Sequence, residues 1–173
     1  MNAIVAHSRS NPFRGPRRLP ACMESGGPRS LREILGPMSP ANVEVVREVM
    51  DLFRDAAKGE RTSELLERFD PEVRIDMTRR VFNPDTYEGH EGLRRLSEEA
   101  GEVWAEFRIE PERFIDAGYR VVVIETRYGR GTGSGVEVEM RSGVIWTLRA
   151  GKVIRMETDL KPEEALAAAG VRD

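Results

Sequence analysis

The sequence predicts one α+β domain, with helices first and an antiparallel meander after them. Three observations predict it. Apolar residues recur at helical spacing over Val43, Val46, Val49, Met50, Phe53 and Ala57, and again over Leu93, Leu96, Ala100 and Val103 or Trp104. From Glu106 onward the period is two, in strand candidates Phe107–Ile115, Tyr119–Tyr128, Val136–Leu148 and Val153–Leu160. Asp116-Ala117-Gly118 and Ala150-Gly151 read as tight turns between them.

Each element has local grounds. Ser39 is a good N-cap, Pro40 suits the first helical position, and Gly59 ends the first helix. Thr62 caps a shorter helix with Leu65, Leu66 and Phe69, stopped by Asp70-Pro71. Val73, Ile75 and Met77 alternate with Arg74 and Asp76, which predicts a short strand. Thr78–Tyr87 reads as a loop, and His90–Trp104 as a helix. Glu163–Ala169 fits a short closing helix ended by Gly170. Glycines at 129, 131, 133 and 135 miss the GxGxxG spacing and join strand to strand, so they predict a hairpin connection rather than a phosphate loop.

The first 38 residues differ from the rest. Proline and glycine interrupt them every few positions, which predicts a disordered tail before a domain of residues 39–173. The tail holds Arg9, Arg14, Arg17, Arg18, Arg29 and Arg32 against Glu24 and Glu33, a charge of +4, which leaves −7 for the remainder of a chain of net −3. Such a tail fits a basic arm for nucleic acid or an Arg-rich targeting peptide, but a tail with no role is preferred. Met38 directly precedes the first helix and is a candidate native start, which the intact mass of the protein from its native gene decides.

The 173 residues are 39% hydrophobic and 33% charged, the composition of one folded domain with a wet surface. Net charge −3 gives no reason to expect nucleic acid as a partner of the whole chain. Cys22 is the single cysteine, so no internal disulfide forms. With only His7 and His90 beside it, no metal centre of Cys/His type is expected. No apolar run approaches the roughly 18–20 residues of a membrane span, and no signal-peptide core is present, so a cytoplasmic location is the default.

Six short pieces carry a resemblance: the Gly59 helix end, Asp70-Pro71-x-Val73, Tyr87-x-Gly89-His90-Glu91-Gly92, Phe114-Ile115-Asp116, Gly135-Val136-Glu137-Val138, and Ile145-Trp146-Thr147-Leu148-Arg149-x-Gly151-Lys152-Val153. In that order, over residues 39–170, the chain resembles the SnoaL-like branch of the NTF2-like superfamily. The resemblance implies an NTF2-like cone, three N-terminal helices on a curved antiparallel sheet, with a pocket between them and a homodimer through the sheet. Members include ketosteroid isomerases, polyketide cyclases and epoxide hydrolases. Laid on the isomerase pattern, Asp76 falls where that enzyme keeps its catalytic base. The isomerase tyrosine and protonated aspartic acid fall at about Leu52 and Val144, which cannot donate to an enolate, so 3-oxosteroid isomerisation is not expected. The Asp-Arg-Asp set of the epoxide hydrolases has no residue-by-residue match.

Asp76 in an apolar cavity would have a raised pKa and act as general acid/base; on a solvated strand end, or paired with Arg74, Arg79 or Arg80, it would be structural. Strand parity on the same alignment points Met140, Ser142, Val144, Trp146 and Leu148 into the cone, then Met156, Thr158 and Leu160. Phe53, Tyr87 and Trp104 are aromatic neighbours, and Ser142 and Thr158 are placed to orient a ligand carbonyl. Glu137, Glu139, Arg141, Glu157 and Asp159 face outward. His90 reads as a helix-start cap or a solvent-facing residue. The function implied is a small-molecule enzyme acting by proton transfer on a hydrophobic carbonyl compound, with no cofactor. The alternative is a non-catalytic ligand-binding or dimeric accessory protein.

Overall fold

Helix α1 (Pro40–Ala56) and helix α2 (Thr62–Glu67) open the computed structural model, which describes residues 40–80 and 83–171. The tail, the Ser39 cap and the Met38 start lie outside the described residues. In α1, Val46, Val49, Leu52 and Ala56 form the buried stripe that three- and four-residue spacing requires. Thr62 does not cap α2 but is its first residue. Arg61 holds the cap position in the left-handed region (φ 50°) with no side-chain cap bond, and its guanidinium pairs with Glu64 at 2.7 Å and Asp55 at 3.1 Å.

Strand β1 (Phe69–Asp76) starts earlier than the alternation suggested. Its first residues run through a register irregularity between Phe69 and Arg74, where Pro71 sits. The stretch read as a loop contains a short strand, β2 (Thr86–Glu88), paired to β1 through Tyr87 opposite Ile75. Helix α3 (Gly89–Val103) follows, then β3 (Trp104–Asp116), β4 (Arg120–Gly131), β5 (Glu137–Arg149) and β6 (Lys152–Leu160). Gly129–Gly131 belong to β4, so the glycine-rich connection is shorter than the glycines suggested.

The sheet order is β2-β1-β6-β5-β4-β3. β3 to β6 form the expected antiparallel meander, but β6 closes beside β1 in parallel. That one pairing departs from the all-antiparallel expectation, because the chain has travelled round the whole sheet before it returns to its first strand. β3 is an edge strand, which lets it carry Pro111 without loss of a ladder bond on both sides.

One sheet face meets α1–α3. Val46, Val49, Leu52, Phe69, Ile75, Tyr87 and Leu93 pack there against Val121, Val123, Val144, Trp146, Leu148 and Met156. The opposite face is covered at one end by helix α4 (Pro162–Ala169), through Val122, Ile124, Ile145, Leu160 and Ala165. This explains why β4 reads as an unbroken apolar run over Val121–Ile124: both of its faces are buried. Helix and sheet touch at Gly143, where a Cβ would stand 2.5 Å from the Ala165 Cβ. Gly143→Val is expected to destabilise the fold by about 1–3 kcal/mol by pushing α4 away. A urea midpoint equal to that of the parent protein would contradict this packing.

Candidate functional site

Asp76 does not enter the helix-covered side. It follows Ile75, which is fully buried there, so the pleat turns Asp76 to the outer face at the strand end. Its carboxylate accepts from the Thr78 hydroxyl at 2.7 Å and the Thr78 backbone N–H at 3.1 Å, and Arg155 stands 3.7 Å away. These bonds to the charged form hold its pKa below the usual carboxylate range, the Thr78 hydroxyl contributing most. The desolvated base imagined from the alignment is absent at this position; the carboxyl closes a turn instead.

The parity expected for β5 holds in the structure. Val123 lies opposite Val144, Glu125 opposite Ser142 and Arg127 opposite Met140, and the Val121–Trp146 pair lies opposite Met156 of β6. Val144, Trp146, Leu148 and Met156 are in the core with the helices. Phe53 packs against this core, edge-on to Phe69 at 5.7 Å and tilted on Trp146 at 6.3 Å. Leu52 and Val144 are both buried in this core, so the two positions that would serve an isomerase's oxyanion are hydrocarbon.

Parity fails at the end of β6. Gly143 pairs with Leu160 and Ile145 with Glu157, so Thr158 and Asp159 together oppose Val144. This is a bulge, and Asp159 takes the left-handed conformation it needs (φ 60°), which aspartate tolerates. Two expectations invert in consequence. Leu160 packs on the outer face with α4, and Asp159 turns inward.

Asp159 completes a buried charged cluster. The Arg127 guanidinium donates through Nε to Glu125 at 2.6 Å and through one terminal nitrogen to Asp159 at 2.9 Å. The Thr158 hydroxyl donates to the other Asp159 oxygen, so Thr158 serves the cluster at this point. Glu125 is 1% exposed. Burial pushes its carboxyl pKa up, against the opposing pull of Arg127. Directly across the ladder, the Ser142 hydroxyl is buried and has no hydrogen-bond partner among the described residues; the Trp146 indole N–H has none either. A buried polar atom without a partner marks a place where a ligand or water completes the structure.

Glu125 and Arg127 were missed because they end an apolar strand and match no motif. The available signal was phase: Glu125 lies two residues beyond Val123 and so shares its face.

Tyr87 is buried on the same side, its hydroxyl donating to Glu99 at 2.5 Å and its ring under the Arg95 guanidinium at 4.7 Å. Burial and the Glu99 carboxylate both raise its pKa, which keeps it a neutral donor. Trp104 is not a core residue of α3 but the first residue of β3. Its ring stacks on Phe107 at 5.7 Å and lies on Gly129, where a Cβ would come within 2.6 Å of it. His90 donates through Nε2 to the Phe69 carbonyl at 3.2 Å and takes no part in the cluster. An open trough of about 650 Å³ lies away from the cluster, at the far end of β3–β5, between Arg108, Tyr128, Arg130, Glu137 and Glu139. Among the described residues no helix is long and apolar enough to cross a membrane, and no group of acidic, His or Cys side chains is arranged to hold a metal.

Known proteins place this architecture. The family model described as a SnoaL-like domain matches residues 46–156. No curated protein matches the chain. Among solved structures, an NTF2-like protein of unknown function from Burkholderia pseudomallei is 23% identical, with a TM-score of 0.60 over 75% of this chain and 97% of that one. A SnoaL-like polyketide cyclase, so assigned from Jannaschia, is 21% identical with a TM-score of 0.62 over 80% and 97%. TerC, co-crystallised with polyporic acid, is 25% identical with a TM-score of 0.58 over 75% and 98%. Helices followed by a curved sheet, the Tyr87–Gly92 and Ile145–Val153 pieces and the extent of the family match agree: the chain belongs to the SnoaL-like family of NTF2-like proteins.

Proposed function

We propose that this protein is a SnoaL-like enzyme, cytoplasmic, that moves a proton on a hydrophobic carbonyl compound, with Glu125 as the general acid/base. The single observation that carries the reading is a desolvated carboxyl, raised in pKa, opposite a hydroxyl that has no partner among the described residues, on the helix-covered side of the sheet. Glu125 takes the proton from the carbon beside the ligand carbonyl. The C–H electron pair forms the enolate double bond, and charge moves to the oxygen. Ser142 donates to that oxygen as charge develops. Glu125 then returns the proton to carbon, which regenerates the carboxylate.

Met140, Trp146, Met156 and Phe53 supply apolar surface around these groups, as small-molecule sites require. That TerC has been crystallised with polyporic acid supports a small organic ligand. Exchange of α-protons of cyclic ketones in D2O, followed by proton NMR, tests the chemistry without knowledge of the final product. Exchange that persists undiminished in Glu125→Gln removes Glu125 from the mechanism.

The non-catalytic reading draws on the packing of Phe53 against Trp146 at 6.3 Å, which covers apolar surface that a ligand would otherwise meet. It expects ligand binding that Glu125→Gln leaves intact and no proton exchange in the parent protein. A homodimer belongs to the proposal too. Because α4 covers one end of the outer sheet face, two copies would pair through the charged remainder around Arg108, Arg130, Glu137 and Glu139. Sedimentation equilibrium showing a monomer at micromolar concentration contradicts that arrangement.

A further inference from the structure

One arginine beside the cluster has a side chain that makes no hydrogen bond to the described residues. The Arg80 backbone N–H donates to the Met77 carbonyl at 3.1 Å, which turns the chain after β1. Its side chain is 28% exposed, and its one ionic contact among the described residues is from Nε to Asp159 at 3.9 Å, too long for a hydrogen bond. The charged and polar groups whose field it feels are Asp159, Arg127, Tyr87 and Glu99. Both carboxylates are already engaged. Asp159 accepts from Arg127 and Thr158, and Glu99 accepts from Tyr87 with Arg95 3.5 Å away. Arg127, by contrast, is satisfied by two carboxylates. A guanidinium carries five N–H donors in a planar fork matched to a carboxylate, and at Arg80 that fork is partly open to solvent and hydrogen-bonded to none of the described residues.

A second unspent group lies deeper. Ser142 is 2% exposed, and its hydroxyl has no partner among the described residues. Strand register and ionic bonds link the two. Ser142 stands opposite Glu125, Glu125 is bonded to Arg127, Arg127 to Asp159, and Asp159 faces Arg80. A neutral hydrogen-bonding group therefore ends this polar chain on the inside, and a cation ends it toward solvent. Apolar side chains flank the inner end, with Met140 opposite Arg127 and Val144 opposite Val123.

We infer that Arg80 is the carboxylate-binding residue of this site, and that the ligand is an apolar oxo acid whose carboxylate docks on Arg80 while its ketone oxygen reaches Ser142. This rests on the reading of the cluster as the reaction centre and narrows it to a substrate class. Arg80 touches the end of the ligand remote from the reacting carbon, so its role is binding.

The test uses the full chain and three probes: 4-oxo-4-phenylbutanoate, its neutral methyl ester, and 4-phenylbutanoate, which lacks the ketone. Isothermal titration is expected to show the oxo acid binding at least roughly tenfold more tightly than the ester, the strength of a charge-assisted pair. Arg80→Met is expected to erase that preference, and Arg80→Lys to retain part of it. Ser142→Ala should bring the oxo acid down to the affinity of 4-phenylbutanoate while the acid-to-ester ratio stays unchanged. Thermal unfolding establishes that each variant is folded, and Arg80→Lys carries the comparison if Arg80→Met is not. Equal binding of acid and ester, no binding of the acid at millimolar concentration, or an equal loss for both ligands in the Arg80 variants overturns the inference. Absence of α-proton exchange with the acid preference intact sinks the catalytic reading alone. Exchange without the acid preference sinks this one alone.

Discussion

Glu125→Gln is expected to lower the rate of α-proton exchange by roughly 10²–10⁴-fold, the usual contribution of a positioned acid/base group. The amide keeps the size of the side chain and one acceptor for Arg127 but cannot take a proton. In the parent protein the rate should rise with pH through a value above the ordinary glutamate range, because burial favours the neutral carboxyl. Stability carries the opposite sign. A folded-state pKa raised above the unfolded one means that folding binds a proton in the interval between them. The stability Glu125 contributes is thus fully present below the unfolded value and lost as pH rises through the raised one. Urea midpoints measured across that interval should lose this slope in Glu125→Gln. Asp76→Asn serves as the contrast: its carboxylate is tied to Thr78 on the other face, so exchange should stay within about twofold of the parent. If Asp76→Asn abolishes exchange while Glu125→Gln does not, the assignment is reversed.

Arg127→Met is expected to be the most destabilising single change at the cluster, by about 3–5 kcal/mol. The Arg127 side chain is 11% exposed, and it lies between the side chains of Glu125 and Asp159, which are 2% and 4% exposed. Its removal leaves two buried carboxyls with no cation between them. One of them can take a proton and escape part of the penalty, which moves the loss toward high pH. Replacing all three together, as Glu125→Gln, Arg127→Met and Asp159→Asn, is expected to recover most of the stability, since no buried charge then remains. Urea unfolding at two pH values reads both results. A loss below about 1 kcal/mol for Arg127→Met means that water reaches the carboxyls and the cluster is not a dry site.

Much of the architecture was legible because it depends on short-range pattern. The change from helical to alternating periodicity near Glu106 located the boundary between helices and strands within a few residues. Parity along β5 placed Met140, Ser142, Val144 and Trp146 correctly relative to one another, since the pleat leaves no freedom there. Trp104 was less legible, because a junction between helix and strand satisfies both periods at once.

The sequence by itself determined the α+β class, the family, the run of strands from β3 to β6 and the face on which each β5 side chain stands. Only the tertiary structure decided where charge is buried. Asp76 matched a catalytic-base position by alignment, with a solvated strand end as the other reading, and the pleat of β1 and a bond to Thr78 decided for the outer face. Asp159 looked outward by alternation, but the Thr158–Asp159 bulge reversed it. Glu125 and Arg127 gained their meaning from partners on strands remote in the chain, 32 residues away in the case of Arg127 and Asp159. Burial, and the pKa it sets, is a property of what the fold stacks above a residue, and no local pattern encodes that.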